Sequence, residues 1–237
     1  MNAAAINAYV AGQDSVSAAA RAMLARLCET LSSLPADQQR DMLLQLLPTI
    51  ADTYGDAAAE LAARWYEEQR GIALGVDTYQ AIAAPTDSAA RVTSTIRDKA
   101  GLLYGADGNI DALMQHLMPL LDMIVRDASR HTIADNLDAD PSHPGWARYA
   151  EAKACAFCVM VSSQGAVYES KSAAGGDYHQ GCRCVPVPLW RDDVPDAVRE
   201  RIEQCQAMWD EAQMSLPQSN RGSAATLAQL RHQTGGH

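Results

Sequence analysis

The sequence predicts a mainly α, α+β fold: an N-terminal helical bundle followed by a small α+β C-terminal module held by a metal. Three observations predict it. Apolar residues recur at helical spacing through most of the first 133 positions. That pattern stops at DADPSHPGW, from Asp138 to Trp146, where two prolines and a glycine interrupt it. Beyond it, four of the six cysteines and one of the six histidines fall between Cys155 and Cys184. The expected division is a helical domain over 1–140, a metal-binding module with a C-terminal helix over 141–214, and a disordered tail over 215–237.

Residues 5 to 32 form the first amphipathic helix, with Met23, Leu24, Leu27, Cys28 and Leu31 on its apolar stripe. Pro35, with Asp37 close behind, opens the next, because the N–H that proline lacks is not needed in a first turn. Met42, Leu43, Leu46, Leu47 and Ile50 form its stripe. Pro48 is expected to kink or end it, and Gly55 to mark a break before a helix carrying YGDAAAELAARWYEEQR. Leu61, Trp65 and Tyr66 give that helix bulk, while its alanines allow a close neighbour.

Residues 74–87 have no sustained period and read as a connection. A helix resumes from Ala89 to Tyr104 through Val92, Ile96, Ala100 and Leu103. GADGN is a turn in which Asn109 caps a long helix from Ile110 to Ile133, bent at Pro119. Past the interruption, Trp146 to Glu151 reads as a strand, Ala156 to Ser163 as a short helix closed by Gly165, and Ala166 to Tyr168 as a strand. Pro186 and Pro188 restrict any strand from Val185 to Trp190 to an edge. Asp192 to Met214 is a charged helix with Val198, Ile202, Cys205 and Trp209 on one side. From Leu216 onward no pattern remains, and the composition favours disorder.

Composition narrows the function classes. Aromatics make up only 5% of the chain, with Phe157 the single phenylalanine, so the core depends on closely packed alanine-rich helices. A formal net charge of −10 argues against a general nucleic-acid binder, which needs Lys and Arg to neutralise phosphates. The longest apolar run, near Met42 to Leu47, is too short to span a bilayer and is followed by Pro48. The opening MNAAAINAYV has neither a basic nor an apolar leader region, so the protein is expected to be soluble and not secreted.

The cysteines carry the chemistry. They are spaced C-x2-C, then twenty residues, then H-x2-C-x-C. Two thiols two residues apart, followed after a loop by a second ligand group, can surround one tetrahedral ion, and zinc is the first reading. Between Gly165 and Pro188 apolar residues are few, so burial cannot offset the ordering entropy of the segment, whereas a structural zinc contributes on the order of 10 kcal/mol. Five ligand candidates compete for four places. Cys155, Cys158, His179 and Cys182 are preferred, with Cys184 as the alternative fourth ligand. A redox dithiol lacks the βαβ setting it usually needs, and two disulfides would require an oxidising compartment. Cys28 and Cys205, each alone in a helical pattern, read as small buried hydrophobes.

YGDAAAELAARWYEEQR, then WARYAEAKACAFCVMVSSQGAVYES and YHQGCRC, resembles the Mu F-like minor head proteins of tailed bacteriophages, in the form found in actinobacterial phages. The likeness covers roughly residues 35–190, and its most specific part is the Cys/His signature. It implies a structural virion protein that joins the portal during head assembly in the host cytoplasm and is packaged inside the head. Its partners would be the portal and major capsid proteins, with no specific nucleic-acid binding and no membrane. Similar proteins are often labelled capsid maturation proteases, but the resemblance supplies no nucleophile to carry onto this chain, so no catalytic residue is assigned. The competing protease reading would pair His179 and Asp177 with Ser162 or Ser170, or Cys182 with His179. A ligated histidine has no free lone pair, so zinc and that catalytic site compete for the same atoms. A catalytic zinc would need an open position and a carboxylate such as Glu169 or Asp177.

Overall fold

The computed structural model describes residues 1–75, 78–151, 154–165, 178, 181–190 and 194–234. It is mainly helical, with one two-stranded sheet: α1 (Ala3–Leu31), α2 (Ala36–Leu74), α3 (Ala89–Lys99), α4 (Ile110–Ala139), β1 (Gly145–Ala150), α5 (Ala156–Ser162), β2 (Cys184–Leu189), α6 (Asp196–Met214) and α7 (Ser223–Gln233). The fold class is the one expected. The chain forms two compact units, a helical one of Tyr9–Trp65 with Ile82–Thr132, and a mixed one of Met1–Ala8, Tyr66–Ala81 and Ile133–His237. The cut expected at 140/141 therefore falls inside the mixed unit.

In the helical unit, Leu24, Cys28 and Leu31 of α1, Leu43, Leu47 and Ala51 of α2, Val92 and Ile96 of α3, and Leu113, Leu117 and Leu121 of α4 share one buried cluster. These positions recur at three- and four-residue steps, which is why the periodicity was readable. Asn109 caps α4 as expected, its side-chain oxygen accepting from the Ala112 N–H at 2.8 Å.

The helix ends expected within α2, at Pro48 and at Gly55, are corrected. The helix runs unbroken for 39 residues through both Pro48 and Gly55. Proline inside a helix costs about 3 kcal/mol, and fully burying one leucine returns roughly 1.5–3 kcal/mol. Leu43 and Leu47, in the turn before Pro48, are 0% and 1% exposed, so packing outweighs the lost hydrogen bond. Gly55 is present for space: a Cβ there would lie 2.6 Å from the Thr86 methyl carbon. The Thr86 N–H is itself held by Asp56 at 3.0 Å. Pro119 likewise lies within α4 and does not end it.

The mixed unit is centred on Asp140, which is fully buried. Arg70 donates to both of its carboxylate oxygens at 2.7 and 3.0 Å, and Tyr66 donates at 2.9 Å. The Ser142 N–H and hydroxyl and the Trp190 indole N–H complete the set. Burial raises the Asp140 pKa, but the hydrogen bonds from Arg70, Ser142 and Tyr66 outweigh it and hold the carboxyl well below the usual range. Asp140 thus fixes the segment expected to be a linker.

β1 and β2 pair antiparallel with Ala150 opposite Cys184 and Gly145 opposite Leu189. The Glu151 N–H bonds the Arg183 carbonyl just beyond the ladder, so the odd-numbered residues of β1 occupy the hydrogen-bonded pairs. Pro186 and Pro188 face Arg148 and Trp146, at the alternate positions where the ladder needs no N–H. α6 packs against α5, β1 and α7. α6 begins at Asp196, after Pro195, rather than at residue 192. The tail expected to be disordered contains α7, with Thr226 and Leu230 buried. A short helix with so few apolar residues carries a weak periodic signal, and it is burial of Leu230 in the mixed unit that orders it. The strand expected over 166–168 lies outside the described residues.

Two substitutions test these arguments. Gly55→Ala is expected to destabilise by about 1–2 kcal/mol despite alanine's better helix propensity, because Thr86 must shift; chemical denaturation measures it. Asp140→Asn leaves Arg70 buried without its carboxylate and is expected to cost about 3 kcal/mol at pH 7. Since the folded pKa of Asp140 is depressed, its stabilisation is full above the unfolded value near about 3.9 and is lost as pH falls below it. The wild-type melting temperature should therefore drop more steeply than that of the variant below about pH 4.

Candidate metal centre

Two short elements bring the cysteines together. Cys155 is the N-cap of α5, and its sulfur accepts the Cys158 N–H at 3.4 Å, so the C-x2-C forms a knuckle around the first turn. Gly165, with a φ of +87°, ends the α5 segment in a conformation that a Cβ would strain. Cys184 opens β2 and Cys182 lies two residues before it, and both sulfurs come within 4.8 Å of that of Cys158.

The approach of these two elements is fixed by arginines. From α6, Arg201 donates to the carbonyls of Ala150 and Glu151 at 2.5 and 2.7 Å, holding the turn between β1 and α5. Arg183 pairs with Glu151 at 2.7 Å. Ser162 donates to the Arg148 carbonyl at 2.7 Å, tying the end of α5 to β1.

The Cys158 sulfur lies 3.4 Å from that of Cys155 and 3.3 Å from that of Cys182. Cys158, Cys182 and Cys184 present sulfurs within 4.8 Å of one another and could hold a metal ion. All four residues are at most 6% exposed, and none forms a disulfide. A tetrahedral ion with metal–sulfur bonds near about 2.3 Å needs sulfurs roughly 3.8 Å apart, so the residues present fit one. Hydrogen bonds to Cys155, Cys182 and Cys184, then burial, push the Cys158 thiol far up. At Cys184 the bond to Cys158 pulls the pKa down, but Cys182 and burial outweigh it and the thiol is also raised; Arg148 adds a smaller downward pull. A bound cation would favour the ionised form of such a cluster.

Of the five expected ligands, the structure brings Cys158, Cys182 and Cys184 within 4.8 Å of one another, with Cys155 3.4 Å from Cys158. His179 lies outside the described residues, as do Glu169, Ser170 and Asp177. Ser162, a nucleophile candidate of the protease reading, is 1% exposed and has its proton committed to a backbone carbonyl. Cys28 and Cys205 are buried and unpaired by disulfide, as read from their patterns. Burial, with Asp111 adding, pushes Cys28 up to about 11. Burial also raises Cys205, against smaller pulls from Arg201 and Ser162.

Sequence reasoning missed Arg148, 1% exposed with its guanidinium 4.2 Å over the Tyr178 ring beside the cluster. Alternation within β1 was the signal, since Arg148 shares a face with the buried Trp146 and Ala150. It also missed Asp140, although Asp-Pro-Ser is a sequence that favours a side-chain-capped turn.

A family model described as VG15 protein matches residues 1–223. The chain belongs to the VG15 protein family. This makes it a phage protein, and the match spans both the helices and the cysteine cluster. No curated protein and no solved structure gives a significant match to this VG15 protein. Among its described residues, no helix is long and apolar enough to cross a membrane.

Cys158 touches two other thiols, so Cys158→Ser should abolish metal-dependent stability. In thermal melts, a chelator is expected to lower the wild-type transition by several degrees and leave the variant unchanged. The helical unit should keep its circular-dichroism signal in both.

Proposed function

We propose that this VG15 protein is a minor head protein that associates with the portal and the major capsid protein during head morphogenesis. It acts by binding, inside the phage head, and carries a structural zinc in the module between Cys155 and Cys184. The observation that carries the reading is the convergence of the signature cysteines into a closed, buried cluster in a phage protein family. The resemblance to Mu F-like minor head proteins rests on that same signature. A thiolate-rich site closed to solvent is the structural kind of zinc site, since a catalytic one keeps a position open for water or substrate.

The protease reading gains no support from Ser162, whose hydroxyl is buried and donates to the Arg148 carbonyl. A nucleophile needs an adjacent base and access to the scissile bond. What supports a binding role in the remaining polar network is its use inside the fold: Arg201 holds the Ala150 carbonyl, Arg183 the Glu151 carboxylate and Arg70 the Asp140 carboxylate.

Co-expression with the portal and major capsid proteins of the same phage tests the proposal. The wild-type chain is expected to co-sediment with heads, and Cys155→Ser or Cys158→Ser to reduce its incorporation severalfold. Ser162→Ala, Ser170→Ala and Asp177→Ala should leave incorporation and the mass of the capsid protein unchanged. Cleavage of the capsid protein that requires this chain and disappears with one of those alanine substitutions would establish the protease instead.

A further inference from the structure

The zinc reading leaves open which four of five candidates bind. We infer that the ion is held by four sulfurs, those of Cys155, Cys158, Cys182 and Cys184, with His179 outside the ligand set. The inference rests on the zinc proposal and deepens it.

Three observations carry it. The first is the knuckle: the Cys158 N–H points at the Cys155 sulfur at 3.4 Å, an arrangement that favours a thiolate there by placing a donor on it. Cys155 is thereby oriented toward Cys158, whose sulfur is also 3.4 Å away. The second is the second pair. Cys182 and Cys184 both reach Cys158, all three sulfurs lying within 4.8 Å, so neither member of the C-x-C is turned aside as a one-ligand knuckle would require. Cys155 lies 3.4 Å from Cys158 as well, so Cys158 has three sulfur neighbours, and the four are the claimants for the four places of a tetrahedron.

Charge is the third. Four thiolates around a divalent ion leave a net charge of −2, and burying it requires a nearby cation. Arg148, on the strand that pairs with Cys184, is 1% exposed and so places a buried cation on the neighbouring strand. Three sulfurs and a neutral imidazole would carry one negative charge fewer and need that arginine less. Binding replaces the four S–H protons by the ion, and those protons leave to solvent.

Zinc-edge X-ray absorption on the full-length protein, purified under reducing and chelator-free conditions, decides the matter, with metal stoichiometry measured on the same sample. Four sulfur scatterers per zinc near about 2.3 Å are expected. His179→Ala should retain one zinc per chain, while Cys184→Ala should bind at least tenfold more weakly. A shell of three sulfurs and one nitrogen, or loss of zinc in His179→Ala with retention in Cys184→Ala, overturns the four-sulfur set and leaves the zinc proposal standing. Absence of zinc from the wild-type protein overturns both.

Discussion

The gathering of Cys155, Cys182 and Cys184 around Cys158 is the constraint on which the C-terminal part of this protein depends. The surrounding cluster is made of small side chains, Ala150, Ala154, Ala156 and Ala212 with Val159, Cys205 and Leu230. Methyl groups of this size bury little area, at about 25 cal/mol per Å². A seven-residue helix such as α5 is far below the length at which helices persist alone. The elements bearing the sulfurs are thus weak individually, and their joint geometry has to come from cross-links. Arg201 and Arg183 provide hydrogen-bonded ones around Glu151, and the sulfur cluster offers a much stronger one when it holds an ion.

Asp140 plays the corresponding part elsewhere in the mixed unit. Its two oxygens receive donors from Arg70 and Tyr66 on α2, from Ser142 beyond α4, and from Trp190 after β2. The Arg70 guanidinium in turn lies 4.7 Å over the Tyr79 ring, and Tyr66 meets Trp190 edge-on at 5.2 Å. A buried carboxylate so fully supplied with donors gives a specific geometry more than it gives net stability. It commits segments distant in sequence to one arrangement, which a contact between alanines cannot do.

The long helices were legible because their apolar residues repeat: Leu24, Cys28 and Leu31, or Leu113, Leu117 and Leu121, announce one buried face each. The breaks within them were misread. Pro48 and Gly55 are local signals, and the burial of Leu43, Leu47 and Ala51 on either side of them is a tertiary effect that no short window contains. The cysteines were legible as a ligand group from spacing alone, but the spacing could not say whether a knuckle turn would separate Cys182 from Cys184. That depends on β2 starting at Cys184 in register with Ala150, a pairing across 34 residues of chain. Asp140 was read as part of a linker because prolines follow it. Its burial is decided by Arg70 and Tyr66, seventy and more positions away.

The geometry of the sulfurs also bears on what kind of cross-link they can form. Cys158 lies 3.4 Å from Cys155 and 3.3 Å from Cys182, both well beyond the roughly 2.04 Å of a disulfide. It is the shared neighbour of both, and a sulfur can enter only one disulfide. Oxidation would therefore join Cys158 to one partner and part it from the other. A single ion takes several sulfurs at once, and Cys158 stands within roughly half an ångström of the separation that sharing one with Cys155 and Cys182 needs. The arrangement is thus one that could hold a metal ion, whereas a disulfide would need Cys158 to move by more than about an ångström toward a single partner.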